Sequence, residues 1–326
     1  MRRLKMSFRC YHPLHRWQIC IQTKRFRLSP PRSPQPPVLG MTQPIVRMGL
    51  QRMDICVLTV PYDSGVYGAR MGRGPKQLLE SGLKASLIRL GHKVTVEEIR
   101  VSANHTAEIA TAFELCRLVA GRVHECLKAG AFPILLSGNC NTAIGAIAGC
   151  GSQNTGVAWF DAHGESTTPE TTQSGFLDGM GISVLTGQCW RRLAVNIPNF
   201  SPLPGQHVLL IGARDIEPAE VELLARVGVH RVTELEELRS KIKSLSDHVS
   251  GVYLHLDLDV LDPTDAIANQ WPTPGGFSIE TLHRAMEHIR KQAPIKGFGI
   301  ASYDPDCDPD QKALQAACSA AESILG

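Results

Sequence analysis

Two short acidic stretches carry the residue types with which this chain can do chemistry. The first is Asp161-Ala-His163-Gly-Glu165 and the second is Asp257-Leu-Asp259-Val-Leu-Asp262-Pro263. Each follows an apolar, strand-forming run, Gly156 to Phe160 and Gly251 to Leu254. Carboxylates and an imidazole are therefore expected at strand ends, where open α/β sheets bind their ligands. Alternate residues of an extended segment point the same way. That would place Asp161, His163 and Glu165 on one side of the chain, and Asp257 with Asp259 on one side. Crowded carboxylates repel one another unless positive charge lies among them. One or two divalent cations meet that need, and oxygen ligands with a single His suit Mn²⁺, with Zn²⁺ or Fe²⁺ as alternatives. One such motif reads equally well as helix caps and turn residues; two together favour ligands.

The elements that must position these residues alternate along the chain. Strands are expected over 54–60, 93–99, 132–136, 156–160, 207–211, 251–256 and 295–300, from short apolar or alternating runs. Helices are expected over 75–90, 107–129, from 141, 217–227, to about 245 from a capping box at Thr233–Glu236, 278–289 capped by Ser278, and 311–325. Alternation of this kind predicts an α/β fold with a doubly wound, mostly parallel sheet and helices on both faces. Neither an internal repeat nor a second composition class shows itself, so residues 48–326 read as one catalytic domain. Four strand-end loops collect the polar residues: 137–141, 161–180, 257–263 and 301–308.

The first 47 residues are different in kind. They hold ten of the chain's 34 Lys and Arg and none of its 31 Asp and Glu, and they include the run Pro30 to Pro37. They read as a disordered basic extension or as a start placed upstream of Met48 or Met53. A minor alternative is an organelle-targeting segment. The remainder carries 24 basic against 31 acidic residues. An acidic body of this kind argues against nucleic-acid binding, and no apolar run approaches a membrane span. Ten scattered cysteines without a CxxC pair suit reduced, buried thiols in a cytoplasmic protein.

The motifs together resemble the ureohydrolase superfamily of arginases, agmatinases and formiminoglutamases. They are DAHGE, followed by Thr168-Pro-Glu170-Thr-Thr-Gln-Ser174-Gly175, then LDLDVLDP, then Thr273-Pro-Gly-Gly276. The resemblance implies a three-layer α/β/α fold, a two-manganese centre and a homo-oligomer, trimer or hexamer. In that superfamily a metal-bound hydroxide attacks the central carbon of a guanidinium or amidine group. Asp161, His163, Asp257 and Asp259 match ligand positions, with Asp161 and Asp257 bridging to a second metal. Cys140 stands where a His ligand is expected and Glu165 where a shorter Asp is expected. A Cys at that place is also a feature of the hydroxyarginine-hydrolysing members, which the chain is similar to around Cys140 and Thr168–Thr172.

On the substrate side the resemblance assigns contacts to Ser174, Asp215 and Glu217, although Asp215 and Glu217 equally suit a helix start. Asp178 replaces a proton-shuttling His; it reads either as a relay or as a turn residue. Ser302 replaces the Glu that pairs with the guanidinium, and a neutral hydroxyl does not substitute for a bidentate carboxylate. Asp304 and the acids near it are candidates for the missing charge, or form a solvated turn. The reading is a metal-dependent hydrolase of a linear C–N bond in a small guanidino, hydroxyguanidino or formimino compound. Glu165 would orient the nucleophile and accept its proton, and Asp178 would protonate the leaving group. The rival is a non-catalytic relative that keeps a metal for structure.

Overall fold

The structure is a computed structural model that describes residues 52–326 except Asn104. The basic extension read in residues 1–47 lies outside the described residues. Strand β1 (Asp54–Val60) runs into a small antiparallel hairpin, β2 (Tyr62–Asp63) and β3 (Val66–Tyr67). There follow β4 (Lys93–Glu98), β5 (Phe132–Ser137), β6 (Thr155–Phe160), β7 (Val208–Ile211), β8 (His230–Val232), β9 (Gly251–Asp257) and β10 (Ile295–Ala301). Apart from the hairpin, these strands form one eight-stranded sheet in the order β4-β1-β5-β10-β9-β6-β7-β8. Every pairing in it is parallel. All carboxyl ends therefore share one edge of the sheet.

The helices are α1 (Gly74–Leu78), α2 (Lys84–Arg89), α3 (Glu108–Lys128), α4 (Ala143–Gly149), α5 (Gly181–Leu185), α6 (Arg191–Ala194), α7 (Pro218–Val227), α8 (Leu235–Ser246), α9 (Ile279–Gln292) and α10 (Lys312–Leu325). The period-two alternation of a strand divides them between two faces. Ile55, Val57, Val252, Leu254 and Leu256 pack with α1, α2, α8, α9 and α10. Cys56, Leu58, Val60, Trp159 and Tyr253 pack with α3, α4, α5 and α7. Both faces of the sheet are covered, as parallel sheets require, and the expected three-layer α/β/α architecture is what the chain adopts.

Two local expectations need correction. The helix read over 75–90 is two helices with a π-type turn at Leu79–Leu83 between them, because Gly82 takes φ 149°, outside the helical region. The capping box at Thr233–Glu236 does not form. Glu234 is the N-cap, without a side-chain bond, so Thr233 falls one residue short of the helix. The β2–β3 hairpin and the three-residue β8 are too short to leave a periodic signal.

Topology then does the positioning. The strands that feed the four polar loops are β5, β10, β9 and β6, and they are consecutive in the sheet. Behind them α3 and α4 pack closely at Gly145, where a Cβ would stand 2.3 Å from the Cys116 carbonyl oxygen. Gly145→Ala is therefore expected to force the two helices apart and cost about 1–3 kcal/mol. Thermal unfolding checks this, and an unchanged midpoint would contradict so close a contact. No helix among the described residues is long and apolar enough to cross a membrane.

Candidate metal centre

Asp161 is the hub. It is fully buried immediately after β6, and both of its oxygens are engaged. The Trp159 indole Nε1–H donates to Oδ2 at 3.0 Å, and the His163 amide donates to Oδ1 at 2.8 Å. His163 turns its ring back so that Nδ1 lies 3.3 Å from Asp161 Oδ1 and 3.3 Å from Asp259 Oδ2. Asp259 also accepts from the Ala162 amide at 3.1 Å and from Asn269 Nδ2 at 3.2 Å. Asp257 caps a short 3₁₀ turn, Leu258–Val260, by accepting the Asp259 amide at 2.9 Å. Asp257 and Asp259 thus converge through a turn and not through extended alternation, a correction to the expected geometry: the strand stops at Asp257.

A second group adjoins the first. Cys140 follows β5, is buried, and holds Sγ 2.9 Å from Asp257 Oδ2 and 3.3 Å from Ser302 Oγ. Gly138 brings this loop against the hairpin: a Cβ there would lie 2.1 Å from the Tyr62 carbonyl oxygen. Glu165 is buried beside it, with Oε2 lacking any partner. Its backbone is left-handed at φ 51°, as is that of Ser302 at φ 62°. Non-glycine residues seldom accept that conformation, and it concentrates at functional sites. The donor atoms form two groups, Cys140–Asp161–Glu165 and Asp161–His163–Asp259, each with its atoms within 4.8 Å of one another and with Asp161 common to both.

The electrostatics explain what the site requires. Burial, and then the neighbouring carboxylates Asp259 and Asp161, push the Asp257 carboxyl well above the usual range. Burial and then Asp161 and Asp178 do the same to Glu165, and burial with Asp257 does so to the Cys140 thiol. Burial alone would lower the His163 imidazole, but its bonds to Asp161 and Asp259 carry it up to about 12. Burial disfavours the Asp259 carboxylate, and His163 more than offsets this, holding that carboxyl below its ordinary value. A single imidazole balances only part of the buried acid set. The unpartnered Glu165 Oε2 and the shared Asp161 fit one or two divalent cations.

Other residues act on these from behind. The Arg214 guanidinium donates to the carbonyls of Gly212, Val260, Asp259, Leu261 and Thr273, binding the turn that bears Asp259 to its neighbours. Glu220 completes a capping box with Glu217 on α7, and its Oε1 accepts the Ser166 amide at 2.9 Å. The His255 imidazole is tilted against Trp159 with ring centres 4.0 Å apart, and burial drives its pKa down to about 3, which keeps it neutral. Sequence reasoning missed Trp159, Arg214, Glu220, His255 and Asn269 as supports. Trp159 was within reach, since it lies two residues before Asp161 and so shares its face.

The expected substrate residues are distributed unevenly. Asp178 is buried, and its carboxylate accepts the Cys140 amide at 3.0 Å, the Asn141 amide at 2.7 Å and Asn139 Nδ2 at 2.9 Å. Ser302 lies against Cys140. Asp304 is buried and paired at 3.0 Å with Arg73, which it shares with Asp306 at 2.7 Å. Ser174 is exposed and accepts the Phe176 amide. Asp215 is exposed, while Glu217 is the N-cap of α7.

Comparison with known proteins settles the relationship. The profile of the Arginase family matches residues 53–326. The chain belongs to the arginase family. The arginase of Bacillus subtilis strain 168 is 31% identical over 291 residues, covering 83% of this chain and 97% of that protein. The structure of arginase from Bacillus caldovelox superposes with a TM-score of 0.77 at 27% identity, covering 84% of this chain and 98% of that one. A formimidoylglutamase from Bacillus subtilis, 18% identical, shares the fold with a TM-score of 0.66 over 84% of this chain and 87% of its own. The expected superfamily is borne out, and this member of the arginase family is a metal-dependent hydrolase of linear C–N bonds.

Asp178 supplies a test of the loop that carries Cys140. Asp178→Ala strands the buried amides of Cys140 and Asn141, each worth about 1–3 kcal/mol when left unpaired. Chemical denaturation is expected to show a loss of that order, with Asp178→Asn recovering part of it. Equal stability of the alanine variant and the parent would show that the carboxylate does not hold the loop.

Proposed function

We propose that this chain hydrolyses a small guanidino, hydroxyguanidino or amidine compound at a two-metal centre held by Asp161, His163, Asp257 and Asp259 on one side and by Cys140, Glu165 and the shared Asp161 on the other. The grouping of Glu165, Asp259, a thiol and an imidazole around the buried Asp161, with Asp257 against the thiol, carries this reading. A divalent metal held there supplies Lewis acidity and lowers the pKa of water toward neutrality. Cys140 brings a softer ligand than imidazole, which favours Zn²⁺ or Fe²⁺ at its side, while the oxygen-rich side suits Mn²⁺.

The chain's own groups divide the remaining work. Glu165 Oε2, buried and without a partner, is placed to orient the attacking water and take its proton. Both oxygens of Asp178 are engaged by N–H groups, which supports a positioning role for it more than the leaving-group protonation read from the sequence. Ser302 presents a hydroxyl beside Cys140 where a carboxylate would grip a guanidinium, and Asp304 is already engaged by Arg73. An ordinary arginine guanidinium therefore lacks its bidentate partner, so the arrangement favours a less basic hydroxyguanidine or amidine. Ser174, Asp215 and Glu217 are left for the distal end of the substrate. Unpaired cysteines among the described residues support a reducing, cytoplasmic setting, and family resemblance supports a trimer or hexamer.

The experiment is metal content by elemental mass spectrometry alongside turnover on a panel of these compounds. Asp259→Asn, which removes a negative charge without changing shape, is expected to lose at least about a hundredfold in turnover and much of the bound metal. Cys140→His is expected to shift bound metal toward Mn²⁺. Metal-dependent folding with no turnover on any compound would favour the non-catalytic relative instead.

A further inference from the structure

A pair of aromatic rings lies beside the metal centre and takes no part in holding it. Phe176 and Trp271 are stacked, with ring centres 5.5 Å apart and planes inclined by 27°. They come from two different loops, and each loop is anchored to the centre. Phe176 is two residues before Asp178, whose carboxylate holds the Cys140 loop. The Trp271 amide donates at 2.9 Å to Asn269 Oδ1, while Asn269 Nδ2 donates to Asp259 Oδ2 and to the Ser302 carbonyl. The stack thus joins the loop behind the thiol to the loop behind Asp259.

Both rings are also held from outside. Beyond Trp271, the carbonyls of Thr273 and Pro274 accept from Arg214, and the amides of Gly275 and Gly276 donate to Asp262 Oδ2. On the other side Gln173 donates to Glu217, and the Phe176 amide donates to Ser174. Trp271 nevertheless keeps 38% of its surface in water, and Phe176 is only partly covered. A rigid aromatic surface left open beside a reaction centre binds at little entropic cost, because its rings need no ordering.

Charge narrows what it binds. Residues 163–180, 212–217, 269–276 and 302–308 contain no Lys, and their one Arg is Arg214, whose guanidinium is engaged by carbonyls. Arg70 and Arg73, on the hairpin side, are paired with Asp63 and with Asp304 and Asp306. A carboxylate at the far end of a substrate would meet no free guanidinium or ammonium in these loops, and it would meet Asp215 and Glu217. Asp215 is exposed, so its pull on an ammonium is screened, and Glu217 already caps α7. Beside Ser174, Asp215 and Glu217, the rings offer a substrate tail an apolar surface.

We propose that Phe176 and Trp271 are specificity-determining residues that pack against an apolar alkyl or aryl tail of the guanidino or amidine substrate. The proposal rests on the hydrolase reading of the metal centre. It is tested on the metal-loaded full chain with phenylbutylguanidine, aminobutylguanidine and arginine, measuring turnover and, by calorimetry, binding. The phenyl compound is expected to have the highest kcat/KM. Phe176→Ala and Trp271→Ala are each expected to raise its KM and Kd by about tenfold, leaving kcat and the constants for arginine within about twofold. Trp271→Phe should keep most of the affinity and shows that the site is intact. A parent protein that prefers arginine or aminobutylguanidine overturns the proposal. So do alanine variants that lower kcat on all three compounds alike, which would make the stack a loop fastening only. If none of these three guanidines is turned over, calorimetry still decides: ring-dependent binding of the phenyl compound upholds the wall, with the hydrolase reading decided separately by turnover on the hydroxyguanidine and amidine panel, and binding that ignores the rings sinks the wall.

Discussion

The structure depends on concentrating negative charge where water cannot relieve it. Asp161, Asp257, Asp259 and Glu165 are all buried, and one imidazole stands among them. Carboxylates in low dielectric are costly unless they are paired or hydrogen-bonded. Much of the surrounding architecture can be understood as holding those charges in place against that cost. Amides from Ala162, His163 and Asp259 itself point at the acids, and Trp159 and Asn269 supply side-chain donors. What these donors leave unbalanced is the net charge, and a cation is the group that balances it.

A parallel sheet is suited to this task. Its strand ends lie along one edge, so four loops remote in sequence meet when their strands are neighbours. Here β5, β10, β9 and β6 are neighbours, although the chain builds β6, β7 and β8 before it returns to insert β9 and β10 between β5 and β6. The loops are then locked to one another and not merely placed. Arg214 joins the end of β7 to the turn after β9 and to Thr273. Glu220 joins α7 to the segment after Glu165. Each lock uses a charged group on backbone atoms, Arg214 on carbonyls and Glu220 on amides.

Much of this was legible in the sequence, and what was not has physical causes. The strands that matter are short apolar runs bounded by turn residues, so β1, β5, β6, β9 and β10 can be read within about a residue of their limits. The candidate ligands stand out because Asp161, His163, Asp257 and Asp259 come directly after such runs. The convergence of Asp257 with Asp259 was foreseen for the wrong reason: alternation predicts a shared face, whereas a 3₁₀ turn achieves the contact. Arg214 and Glu220 were illegible as supports because their partners are carbonyls and amides of other loops, which leave no residue-type signature. Asp178 illustrates the same limit. Its side chain is acidic in the sequence, but only the fold shows that three N–H groups surround it.

The thiol among the acids follows a logic of its own. Burial and four neighbouring carboxylates keep Cys140 protonated by disfavouring its thiolate, and as a thiol it donates to Asp257. An imidazole in its place would gain a proton from the same surroundings, as His163 does, and become a competing positive charge. A thiol cannot take that route. It stays neutral in these surroundings, and were a cation to bind there it would contribute an anion as its proton left, so that metal and ligand charge would be created together. The substitution therefore does more than change ligand softness. It removes one internal counter-ion from a site where, among the described residues, the His163 imidazole is what pairs with the acids. The balance at this centre is left to what binds there.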